Sequence, residues 1–163
     1  MDVSKNVELP ELPRFGLRMF LPAAMKQVTY FGLGPEESYE DKRRASSHGI
    51  YCQSVSELHE DYIKPQENGS HADCDYVMLE GNGVVVKAFN YDKFSFNVSE
   101  YTQEELTEKK HNYELIPSGH TVLNLDFRQN GIGSNSCGPR PQEKYRLDEE
   151  KFTYRMALIL ENR

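Results

Sequence analysis

Between Ser118 and Leu147 the chain gathers the residue types best suited to holding a polar ligand. Leu123, Leu125 and Phe127 alternate with Asn124, Asp126 and Arg128, which predicts a strand with one apolar face and one face carrying an amide, a carboxylate and a guanidinium. Such a polar face needs water or a ligand. The strand runs into Gly131-Ile132-Gly133-Ser134-Asn135-Ser136-Cys137-Gly138-Pro139, where glycines permit close approach, small polar and sulfur side chains offer contacts, and a proline closes the loop. The same composition also suits a long hairpin connection with nothing bound. The glycines form neither GxGxxG nor a P-loop, since no Lys-Ser/Thr follows them.

The elements that must position this stretch read mostly as short strands. Pro10 and Pro13 make Val7 to Pro13 extended, an edge or linker. Leu17 to Phe20, Gln27 to Leu33 and Ser46 to Gln53 follow as strands, with a short helix expected from Pro35 to about Arg44 because proline suits the first helical position and Glu36 and Glu37 suit the positive helix end. Ser54-x-x-Glu57 fits the cap of a brief turn, and Lys64 to Gly69 is a loop. Cys74 to Glu80 and Val84 to Phe89 flank Gly81-Asn82-Gly83 as a hairpin, and Phe94, Phe96 and Val98 mark a further strand. Thr102-x-x-Glu105 opens the one convincing helix. Lys151 to Leu160 alternates as a closing strand, expected in the core. Many short strands with one or two small helices indicate an all-β, antiparallel sandwich or part of one.

Composition narrows the chemistry further. At 163 residues this is one domain, and its ten Tyr and eight Phe favour sheets. The net charge of −7, with no basic cluster longer than Lys42-Arg43-Arg44, would repel a phosphate backbone, so nucleic acid is rejected as a partner. No apolar run approaches a membrane span, and the first residues lack the core of a signal peptide, so the chain reads as mature protein or as a piece of something longer, with the cytoplasm favoured over export. Three cysteines without CxxC spacing give little support to a disulfide framework or zinc site. The histidines His48, His59, His71, His111 and His120 lack ligand spacing, so no metal is expected. Adjacent pairs such as Glu36/Glu37 point in different directions, which argues against paired acid/base work. Asn68-Gly-Ser and Asn97-Val-Ser match the glycosylation pattern but carry no weight alone.

Several segments, in order, resemble the C-terminal domain of family 2 β-galactosidases, called the small chain where the enzyme is encoded as two polypeptides. They are Phe31-Gly-Leu-Gly-Pro-Glu-Glu-Ser-Tyr39 with Asp41, Tyr62-Ile-Lys-Pro-Gln-Glu-Asn-Gly69, Phe94-Ser-Phe-Asn-Val-Ser99, and Leu123-Asn-Leu-Asp126 followed by Gly131 to Pro139. The resemblance runs from about Pro13 to about Leu160 and implies a galactose-mutarotase-like supersandwich, partial in extent, over residues 14–163, with 1–13 as linker or edge segment. It also implies that the reaction belongs to a separate barrel. There two glutamates, about 5 Å apart across the sugar, act as nucleophile and acid/base in retaining hydrolysis. The family's magnesium and sodium sites lie in that barrel too, so no cofactor is expected in this chain.

The resemblance assigns one pocket wall to this domain. The corresponding loop here comprises Gly133, Ser134, Asn135, Ser136, Cys137 and Gly138, and Cys137 stands at or beside the position where the family often presents a tryptophan. Asn135, Ser136 and Cys137 are therefore expected to line the pocket through hydrogen bonds and sulfur contact. The expected partners are the catalytic barrel portion, a galactoside in the complete enzyme, and a second copy covering an apolar flank. Two rivals remain: a free carbohydrate-binding module using Asn124, Asp126 and Arg128, and a mutarotase-like enzyme for which His120 with Asp126 is the only available pair.

Overall fold

The computed structural model describes residues 1–131 and 140–163. Its strands are β1 Asp2–Ser4, β2 Arg14–Pro22, β3 Gln27–Gly34, β4 Ser47–Ser54, β5 Ser70–Gly81, β6 Val84–Ser99, β7 His120–Gln129, β8 Lys151–Thr153 and β9 Ala157–Asn162, with one α-helix, α1 Gln103–Glu108. All named strand pairs are antiparallel. Six strands follow the order β2-β7-β6-β5-β3-β4, β9 adds to β6, and β1 pairs with β8 apart from them. The fold is all-β and sandwich-like, as the alternating pattern predicts.

The core forms where alternation sends one apolar face of each long strand inward. Val28 and Tyr30 of β3, Val77 and Leu79 of β5, Phe94, Phe96 and Val98 of β6, and Leu123 and Leu125 of β7 are all buried in one cluster. Met25, Val55 and Leu58, from connections between strands, join the same cluster. Full burial of each such side chain stabilises the fold by about 1.5–3 kcal/mol before chain entropy is counted. The β5–β6 hairpin turns at Asn82 and Gly83, with φ of 53° and 76°, as the Gly-Asn-Gly signal demands. Thr102 caps α1 by accepting the Glu105 N–H at 3.1 Å.

Four local expectations are corrected. No helix forms from Pro35 to Arg44: the Ser38 and Tyr39 N–H groups donate to the Ser70 and Lys42 carbonyls instead of to carbonyls four residues back. Val84 to Ser99 is one strand rather than two, and it changes partner along its length. Val84 to Phe89 lies between β5 and β9, whereas Ser95 to Ser99 pairs with β7. The closing segment is two strands, broken around Tyr154 to Met156. Its second half is not core, since Leu158 and Leu160 are 45 % and 72 % exposed. β9 pairs with β6 and with no other described strand. Val7 to Leu9 turns rather than extends, with the Leu9 N–H donating to Asn6 O at 3.0 Å.

Candidate functional site

β7 delivers the chain to the loop singled out by its composition. That loop, including Gly133, Ser134, Asn135, Ser136, Cys137 and Gly138, lies outside the described residues, so the site is built here from what holds its two ends. On the entering side the Asn130 N–H donates to Pro13 O at 2.9 Å, and Asn130 Oδ1 accepts the Leu147 N–H at 3.1 Å. The Gly131 N–H donates to Tyr145 O at 2.8 Å. On the leaving side Arg140 forms a two-point ion pair with Glu11, its Nε 2.8 Å from Oε1. Hydrogen bonding from Arg140 brings the Glu11 carboxyl down to about 2. Arg146 Nε also donates to Pro141 O at 2.7 Å, so both ends rest on the same two strips of chain, residues 11–13 before β2 and residues 145–147 before β8.

The polar face of β7 is occupied by protein. Asn124 and Asp126 are 3 % and 2 % exposed. Asn124 Nδ2 donates to Asn97 Oδ1 of β6 at 3.2 Å, and Asn97 Nδ2 donates in turn to Asn68 O. Asp126 accepts Arg14 Nε at 3.1 Å, the other Arg14 arm, and Gln129 Nε2 at 3.1 Å. Arg14 reaches Glu67 at 2.7 Å as well, and Gln129 reaches Ser70 Oγ at 3.1 Å. Burial pushes the Asp126 carboxyl up, against the hydrogen bonds and charge of Arg14, while Asp126 and Glu67 together raise the Arg14 guanidinium despite its burial.

Arg128 does not join them. The β2–β7 register slips between Phe15 and Gly16, where Phe127 is the extra residue opposite β2. Beyond the slip Arg128 pairs with Glu149 and donates to Lys144 O at 3.0 Å. Nor do His120 and Asp126 converge. His120 is exposed at the start of β7, roughly 20 Å from Asp126 along an extended strand.

A second knot forms where two distant loops meet. Glu37 is buried; its oxygens accept from Lys42 Nζ, from the Tyr62 hydroxyl, from the Gly69 N–H at 2.8 Å and from Tyr39 at 3.4 Å. Burial alone would raise this carboxyl, but those donors outweigh it and hold it below the usual range. Asn68 Oδ1 accepts the Glu60 N–H at 3.0 Å. Asn68 and Asn97, both glycosylation matches by sequence, are thus buried structural amides. Sequence reasoning missed Arg14, Glu37, Glu67, Asn97 and Gln129 as members of these knots. Their only signal was the presence of Glu37, Glu67 and Asn97 inside the segments FGLGPEESY, PQENG and FSFNVS.

Asp41, from the first of those segments, touches the loop root. A Cβ placed on Gly131 would stand 2.8 Å from the Asp41 carboxyl carbon, so a larger residue there would have to displace that side chain. Among the described residues no three His, Cys, Asp or Glu side chains gather to hold a metal ion. No described helix is long and apolar enough to cross a membrane.

Comparison with known proteins accounts for this convergence of segments. Residues 1–158 match the family described as beta galactosidase small chain. The chain belongs to that family. It is 53 % identical over 161 residues to a beta-galactosidase of Actinobacillus pleuropneumoniae, 40 % over 160 residues to one of Staphylococcus xylosus, and 36 % over 159 residues to one of Vibrio cholerae. These matches take in 99 %, 97 % and 97 % of this chain but only 16 %, 16 % and 15 % of the relatives. The chain therefore spans about one-sixth of the length of the β-galactosidases it matches. In small-chain terms, Asp41 and Gly131 are where two of its sequence segments meet.

Proposed function

We propose that this small-chain domain works as the scaffold and substrate-pocket wall of a β-galactosidase, in concert with a larger portion that carries the catalytic glutamates and the magnesium and sodium sites. The observation that carries the reading is the fastening of the chain on both sides of residues 132–139 to the same two strips, next to a buried polar network. Roots held in this way fix where the chain leaves and rejoins the sheet, which suits a wall of a sugar cleft. Asn135, Ser136 and Cys137 would meet the galactoside there, while Asn124 and Asp126 act behind the loop by fixing β7 against β6 and β2.

Retaining hydrolysis needs two carboxyl groups about 5 Å apart with room for a sugar between them. Asp126 and Glu67 both engage Arg14 and are drawn into an internal ion-pair cluster, which suits support rather than turnover. The test is hydrolysis of a chromogenic galactoside by the chain alone, by the remainder of the Actinobacillus pleuropneumoniae relative without its matched 161 residues, and by the two together. Activity should arise only in the mixture. Turnover by the isolated chain would overturn the proposal.

A further inference from the structure

The register of the sheet places an apolar row across five strands on the face opposite the core. Ile50 of β4 stands opposite Phe31 of β3, Phe31 opposite Tyr76 of β5, Tyr76 opposite Phe89 of β6, and Phe89 opposite Ala157 of β9. Residues directly opposite in adjacent strands project to the same side. The next row adds Met78 and Ile159, on either side of Lys87. Ile50, Phe89 and Ile159 are 68 %, 38 % and 39 % exposed. A groove of about 560 Å³, lined by Tyr76, Met78, Phe89 and Tyr91 among others, runs along this face.

We infer that this row is the surface on which the large portion of the β-galactosidase docks, through an apolar patch of its own; the inference rests on the function proposed above. The charges around the row are paired within the chain. Lys87 meets Glu161 at 2.8 Å, Arg163 meets Glu80, and Asp75 is met by Lys93 and by His48 at 3.3 Å. An apolar centre with a satisfied ionic rim is the anatomy of a protein interface. Both charged groups lining the groove, Asp75 and Lys87, are already engaged within the chain, so neither charge is left to orient a sugar.

Size decides between a second copy and the rest of the enzyme. Five strands about 4.8 Å apart and two rows deep give a footprint of roughly 200 Å², against about 800 Å² per partner in a stable specific complex. A homodimer through this row alone falls short. The relatives extend about six times the length of the chain, so a large partner that touches it at other places too is available to cover the row.

Association of the chain with the remainder of the Actinobacillus pleuropneumoniae relative, followed by sedimentation, tests the inference. Phe89→Asp and Ile159→Asp should each weaken association tenfold or more while leaving the circular dichroism of the isolated chain unchanged. In the unsubstituted complex, amide exchange of β5, the first half of β6, and β9 should slow. If the unsubstituted chain associates and restores activity but both variants bind equally and exchange there is unaltered, this inference fails and the proposed function stands. If the unsubstituted chain does not associate, both fail. Millimolar lactose shifting the NMR signals of Tyr76, Met78 and Phe89 in the isolated chain would assign the row to sugar. A dimer of the isolated chain dissolved by Phe89→Asp would assign it to a second copy. Either result overturns the inference.

Discussion

Gly131 lies against Asp41 so closely that a single methyl group at residue 131 would come within 2.8 Å of the carboxyl carbon. The atoms met are the end of the Asp41 side chain, so Gly131→Ala must turn that carboxyl aside from the loop root. Overpacking relieved by a single side chain sits at the low end of the usual range, about 1 kcal/mol, to be read from the urea midpoint of the isolated chain. In the reconstituted enzyme the disturbed Asp41–Gly131 contact should lower kcat/KM by roughly tenfold, with association unaffected.

Asp126 supplies a second contrast between support and chemistry. Asp126→Ala leaves Arg14 with Glu67 as its remaining carboxylate and strips Gln129 of one acceptor. Breaking a buried pair from one side typically costs about 3–5 kcal/mol, so denaturant unfolding of the variant should shift by that amount in the absence of any sugar. A variant with unchanged stability and impaired sugar affinity would instead return Asp126 to the ligand.

His71 gives the chain a pH dependence with a defined sign. Its Nδ1 is 3.0 Å from Leu33 O, its ring lies against Tyr30 and Phe96, and burial brings it down to about 4. Unfolded chain binds the proton near 6.5 and folded chain only near 4, so stability falls as pH drops from 6.5 to 4 and levels off below. The full effect is about 3 kcal/mol. His71→Asn keeps a donor for Leu33 but removes the titration. The difference in unfolding free energy between the two proteins should shrink with falling pH across that window, and the comparison cancels the opposing trend of Asp126 and Glu67, whose carboxyls burial raises.

Glu37 acts in a lower window and by another route. Its folded carboxyl sits below the unfolded value, so the stability it contributes is present above about pH 4.5 and is lost as pH falls through the folded value. Glu37→Gln turns an amide N–H toward donors. About 1–3 kcal/mol should be lost at pH 7, and the acid limb below pH 4.5 should flatten in a pH series of urea midpoints.

The strands were legible because alternation and turn residues are local properties. β2, β3, β4, the β5–β6 hairpin, β7 and α1 all stand where the pattern puts them, within a few residues at each end. The polar side of β7 was misread for the opposite reason: a row of Asn, Asp and Arg announces a need for partners without saying where they come from. For Asp126 they come from Arg14 of β2 as well as from Gln129 on its own strand, and for Asn124 from Asn97 of β6, and the placement of β2 and β6 depends on the whole sheet. The helix expected after Pro35 failed similarly. Glu36 and Glu37 suit a helix start in isolation, but Glu37 is claimed by Lys42, Tyr62 and Gly69. The family segments were read as signatures of kinship, and two of them prove to be the two halves of one buried knot.

The exchange of neighbours along β6 leaves a surplus in the ladder. Between the pairs Tyr76↔Phe89 and Cys74↔Phe94, the four residues Asn90 to Lys93 stand opposite the single Asp75. Slack of this sort lets the chain gain or lose a residue at that spot while the ladders above and below keep their alignment. The outward row at Phe89 and the amide pair of Asn97 and Asn124 can consequently drift independently over evolutionary time, one answering to whatever it adjoins, the other to the strand that leads out to Gly131.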